Sequence, residues 1–177
     1  MNLYVMYFFG NERQMREYLL QRHHLVLDKC SGKKVNNALE AAIEADDSHL
    51  TVMASDTANW NVMMGNSAQC FDELLTDQLS AASKHGEILM ILSQDVTGGL
   101  WFEYHKDGDL RRQWICIEGE VHANIGRPLN DVDAENFTDC VDIENMPSFA
   151  TLTKLAETIT GVCFNDLQTS GVIYQID

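Results

Sequence analysis

The side chains most able to do chemistry in this chain are carboxylates. Against 12 Lys and Arg stand 27 Asp and Glu, a formal net charge of -15 over 177 residues. Six of the acids, Asp131, Asp133, Glu135, Asp139, Asp142 and Glu144, fall within fourteen positions that hold no basic residue. Such a run repels phosphate backbones and anionic bilayers, which argues against nucleic acid or a membrane as the main partner and favours a cationic protein. The chemistry on offer is electrostatic docking, in which a concentrated field speeds association by roughly 10- to 1000-fold and close charge pairs add affinity. Glu40, Glu44, Asp46 and Asp47 form a second acidic set that could assist. Calcium is a poorer match: the Asp131, Asp133, Glu135 spacing begins like a calcium loop, but Asn136 stands where the loop needs glycine and Asp142 where it needs glutamate.

Catalytic and metal signatures are absent from the sequence. His23, His24, His49, His85, His105 and His122 never fall into a His-x-x-x-His spacing, and Cys30, Cys70, Cys116, Cys140 and Cys163 are odd in number and far apart. They read as reduced, packed thiols rather than a disulfide framework or a metal knuckle. No Gly-x-Ser-x-Gly elbow, Walker loop or dinucleotide fingerprint occurs, and Thr97-Gly98-Gly99 is a turn with no helix after it. Neither a cofactor nor a metal is implied, and the pattern points away from an enzyme. The alternatives are a small cytosolic hydrolase with a carboxylate or Cys-His site, to which His105 or Cys116 could contribute, and an acidic adaptor module.

The elements that must position these groups follow from periodicity. Residues 3–9 are apolar on both alternating faces, as suits an interior strand of a sheet covered on both sides. Helices are expected over about 11–21, from Val35 with Leu39, Ala42 and Ile43 on one face, over 66–86, and from Pro147-Ser148 to Gly161 with Phe149, Leu152, Leu155, Ala156 and Ile159 as the apolar stripe. Strands are expected at 25–27, 50–54, 60–64, 87–92, 100–105, 110–117 and 172–176, with Asp107-Gly108 as a hairpin turn. Beyond Gly119 the pattern is polar, and 131–144 has room for one or two helical turns. The expectation is one compact α+β domain over 1–177 with a largely antiparallel sheet and about four helices, with a possible subdivision near residue 48. No apolar run reaches the roughly 20 residues needed to cross a bilayer, which makes a cytoplasmic location the natural expectation.

The stretch Trp60-Asn61-Val62, Glu87-Ile88-Leu89-Met90, and Leu100-Trp101-Phe102-Glu103-Tyr104-His105-Lys106-Asp107-Gly108-Asp109-Leu110, continued by Gly126-Arg127-Pro128-Leu129 and Thr160-Gly161-Val162, resembles a module of small bacterial immunity-type proteins. The likeness covers about residues 58–165. It implies a cytoplasmic protein that neutralises a cognate toxin of a polymorphic or contact-delivered secretion system, type VI among them, by stoichiometric binding. The toxin would be basic, and the resemblance transfers no catalytic residue.

Overall fold

The computed structural model describes residues 3–10, 32–45, 49–54, 60–65, 75–139 and 146–175. A strand without a polar side has to be flanked on both edges and covered on both faces. That is the position of β1 (Leu3–Gly10), which pairs antiparallel with β4 (Asn61–Gly65) and β5 (Gly86–Gln94), so that Met6 lies opposite both Met63 and Met90. Leu3, Val5 and Tyr7 belong to the main core on one face, while Tyr4, Met6 and Phe8 are buried on the other. With β2 (Lys33–Val35), β3 (His49–Ala54), β6 (Gly99–Lys106), β7 (Asp109–Ile117), β8 (Glu120–Gly126) and β9 (Gly171–Gln175), the strands form one nine-stranded sheet. Its order is β2-β9-β3-β4-β1-β5-β6-β7-β8, and every neighbouring pair is antiparallel.

Four α-helices stand among the described residues: α1 (Ala38–Glu44), α2 (Leu75–Ala82), α3 (Asp131–Asn136) and α4 (Phe149–Thr160), which makes the molecule an α+β fold. Helix α4 forms where the sequence places it, and for local reasons. The Ser148 side chain accepts from the Thr151 N–H while the Thr151 side chain returns the bond, and Gly161 closes the helix at φ 73°, a left-handed conformation that glycine adopts without strain. Leu152, Leu155 and Ala156 enter the core that also holds Leu89, Ile91, Phe102 and Trp114. Helix α1 starts later than its apolar spacing suggests. Asn37 caps it by accepting from the Glu40 N–H at 3.1 Å, residues 33–35 become β2, and Ile43 is 48% exposed instead of buried.

The Asp107-Gly108 hairpin takes φ values of 57° and 85°, the doubly left-handed turn that matches strand twist. Glu118 and Gly119 do the same at 53° and 81°, and this second hairpin returns the chain as β8 through a stretch whose polar pattern carries no strand signal. The usual Asn-Gly or Asp-Gly signal was missing because a glutamate occupies the first strained position. The helix expected over 11–21, the strand over 25–27, Asp46, Asp47, Asp142 and Glu144 lie outside the described residues. Among the described residues no helix is long and apolar enough to cross a membrane.

Candidate functional site

The acidic segment is organised by its one interior member. Asn130 caps α3 by accepting from the Asp133 N–H at 3.0 Å, and this turn carries the Asp133 side chain inward to Arg112 of β7. The pair is enclosed, with side-chain exposures of 1% for Arg112 and 0% for Asp133. Arg112 Nε donates to both carboxylate oxygens at 3.1 and 3.0 Å, and Nη2 donates to Oδ1 at 2.9 Å. Nη2 also reaches the Phe137 carbonyl at 3.0 Å, and Nη1 serves the Gln113 and Ile125 carbonyls and Asn124 Oδ1. The Leu129 N–H completes the Asp133 shell at 2.9 Å. A planar guanidinium has the donor fork that this arrangement needs. Asp133 is therefore withdrawn from the docking surface on which its charge run placed it: Arg112, 21 residues away in sequence, neutralises it in the interior.

Asp131, Glu135 and Asp139 remain exposed, and among the described residues none of the three has an ion-pair partner. Asp139 accepts a hydrogen bond from the Asn124 amide at 2.8 Å. Some acids elsewhere have local cations: Glu87 meets Lys106 at 2.7 Å, and Asp107 and Asp109 share Arg111 at 3.3 and 3.5 Å. Arg127 is the exposed cation nearest to α3 in sequence. A groove of about 320 Å³ runs beside α3, lined by Asn124, Gly126, Pro128, Ala134, Phe137 and Asp139 among others.

Glu40 and Glu44 are also exposed, but the fold does not bring them to this surface. Helix α1 packs on β3, β4 and β9, whereas α3 is anchored to β7. With strands about 4.8 Å apart, four to six strand steps separate the two acidic sets by roughly 20–30 Å. They are two patches rather than one.

A second polar cluster lies on the opposite face of the sheet. Glu103 in β6 is fully buried, faces Met90 and Gln113 on neighbouring strands, and is covered by α2. Its Oε1 accepts from Thr76 Oγ1 at 2.8 Å, Trp101 Nε1 at 2.9 Å and Gln113 Nε2 at 2.7 Å, and its Oε2 meets His105 Nε2 at 2.8 Å. Burial pushes the Glu103 carboxyl upward, but the bonds from His105 and Gln113, the His105 charge and the Thr76 bond outweigh it and hold the group below the ordinary carboxylate range. The other ring nitrogen of His105 meets Ser80 Oγ at 3.0 Å. A carboxylate can only accept, so His105 Nε2 carries the proton; in the neutral ring Nδ1 is then the acceptor and Ser80 the donor.

Of these residues the sequence offers only His105 as a candidate catalytic group. The available signal was Trp101, Glu103 and His105 recurring at period two in a strand whose other face is Leu100, Phe102 and Tyr104. Cys116 does not join His105: it packs with Leu100 and Phe102 in the main core, on the far side of the sheet, and burial raises its thiol. No group of three His, Cys, Asp or Glu side chains suited to a metal ion occurs among the described residues. No protein-family model, curated protein or solved structure matches this chain.

Proposed function

We propose that this chain works by stoichiometric binding, as a cytoplasmic immunity-type protein that docks its α3 face on a cationic toxin and occludes the toxin's working surface. The observation that carries the reading is the division of labour within one short helix and the turn after it. Asp133 is spent inside on Arg112, and the anchor it makes holds Asp131, Glu135 and Asp139 outward without local cations. Preorganised charge of this kind accelerates encounter and lowers the ordering cost of binding. The anionic face supplies steering; the groove between α3 and β8 supplies relief into which a partner side chain fits.

Affinity capture from the native cell, with mass spectrometry, is expected to return one dominant basic partner. Its association rate should fall steeply as salt shortens the Debye length through about 8 Å, and Asp131→Asn/Glu135→Gln/Asp139→Asn should slow association by about tenfold or more at low salt. An association rate indifferent to both salt and the triple substitution would overturn the reading.

A further inference from the structure

We propose a second activity on the face of the sheet away from the acidic helix: Ser80 is an acylatable nucleophile, His105 its base and Glu103 the residue that orients the base. The arrangement runs from the surface inward. Ser80 is partly exposed on α2, and its hydroxyl lies 3.0 Å from His105 Nδ1, while the imidazole and the carboxylate behind it, 2.8 Å apart, are completely buried. A nucleophile hydrogen-bonded to a base that a third group orients is the working geometry of acyl transfer on unrelated folds. Here the two ring nitrogens exchange the roles they hold in serine proteases, since the carboxylate takes Nε2 and leaves Nδ1 for the hydroxyl. Glu103 is itself fixed by three further donors, Thr76, Trp101 and Gln113, so the ring it holds has one orientation and one tautomer. That degree of support exceeds what fastening one helix to a sheet requires, since a single Ser80 bond to any backbone carbonyl would do so.

The substrate class is an ester with a good leaving alcohol. As the Ser80 Oγ–carbon bond forms, the hydroxyl proton moves to His105 Nδ1. The bond from the acyl carbon to the leaving oxygen then breaks, and that oxygen takes the proton from Nδ1. Water, deprotonated by the same nitrogen, attacks the acyl-serine; the Oγ–carbon bond breaks, Oγ recovers its proton, and the carboxylic acid departs. Glu103 stays ionised throughout and balances the imidazolium while it exists.

The test uses the full chain and a fluorophosphonate reporter, which transfers its phosphonyl group to an activated serine with loss of fluoride. The expected result is one adduct, mapped to Ser80 by peptide mass spectrometry. Hydrolysis of p-nitrophenyl acetate should drop at least about tenfold in Ser80→Ala, far less than the roughly millionfold loss that removing the serine costs a mature protease. Ser80→Ala removes one partly exposed hydroxyl, and its unchanged thermal unfolding profile would confirm that the fold persists. Absence of a Ser80 adduct in folded wild-type protein, under conditions that label trypsin completely, would overturn the proposal, as would hydrolysis equal in wild type and Ser80→Ala. A serine that merely pins α2 would not acquire a covalent adduct.

Discussion

Replacing Asp133 by Asn tests the anchor on which the acidic face depends. The side chains are nearly the same size, so the substitution removes charge and one acceptor oxygen without opening a cavity. Arg112 would keep its bonds to the Gln113, Ile125 and Phe137 carbonyls, but its Nε and one Nη2 donor would face an amide whose own N–H groups compete with them. The Leu129 N–H would lose its acceptor whenever the Asn oxygen turned toward the guanidinium. With exposures of 1% and 0% the pair has little access to water, although Arg112 borders the groove, and leaving one charge of a buried pair uncompensated costs about 3–5 kcal/mol. Against a total stability of roughly 5–15 kcal/mol that is a large fraction, and it corresponds to a drop in Tm of about 10 °C for a domain of this size. Urea unfolding followed by tryptophan fluorescence, with the m-value compared between variants, measures it directly. Arg112→Met/Asp133→Leu should recover part of the loss, because it strands neither charge but leaves the Gln113, Ile125 and Phe137 carbonyls and the Leu129 N–H without their partners. A Asp133→Asn cost below about 1 kcal/mol, the value of a solvent-exposed pair, would refute the claim that this interaction is interior and structural.

Two further outcomes follow from the same geometry. Because the fold holds the Glu103 carboxyl below its ordinary value of 4.5, its contribution to stability is whole above that pH and is lost as pH falls through the folded-state value. The unfolding free energy of Glu103→Gln, measured between about pH 3 and pH 6, should therefore decline less steeply with acidification than that of wild type, and parallel curves would contradict the assignment. Gly126 and Gly119 both sit at positive φ, 87° and 81°, but a Cβ at Gly126 would fall 2.1 Å from the Arg111 carbonyl oxygen while one at Gly119 meets nothing within 4 Å. Gly119→Ala should cost about 1 kcal/mol of backbone strain and Gly126→Ala clearly more, about 3 kcal/mol once β7 and β8 must separate. Thermal unfolding, with amide exchange on β7 and β8, separates the two cases, and equal losses would count against the close approach.

Several features of the molecule were present in the order of its residues. Helix α4 needed only the Ser148 cap, the Leu152, Leu155, Ala156 spacing and Gly161, all of which act within one or two turns. The Asp107-Gly108 hairpin and the doubly apolar β1 were equally local, since turn strain and period-two burial require no knowledge of distant residues. Strand β2 and strand β8 were not legible. Lys33–Val35 becomes a strand because β9, far along the chain, offers it a ladder, and Glu120–Gly126 because Glu118 accepts a left-handed turn against its own preference.

The candidate sites divide along the same line. That the chain is acidic, and that its carboxylates crowd into 131–144, is a property of the sequence alone, because charge adds without regard to shape. Which carboxylates face outward is a tertiary decision: Asp133 differs from Asp131 and Glu135 only in the helix face that Asn130 and Arg112 select for it. The convergence of Ser80, Glu103 and His105 is likewise invisible before β6 and α2 are packed, for the serine and the histidine lie 25 positions apart and meet across a helix–sheet interface. Backbone preferences are short-ranged, while burial, ion pairing and proton direction depend on which surfaces the register of the sheet brings together.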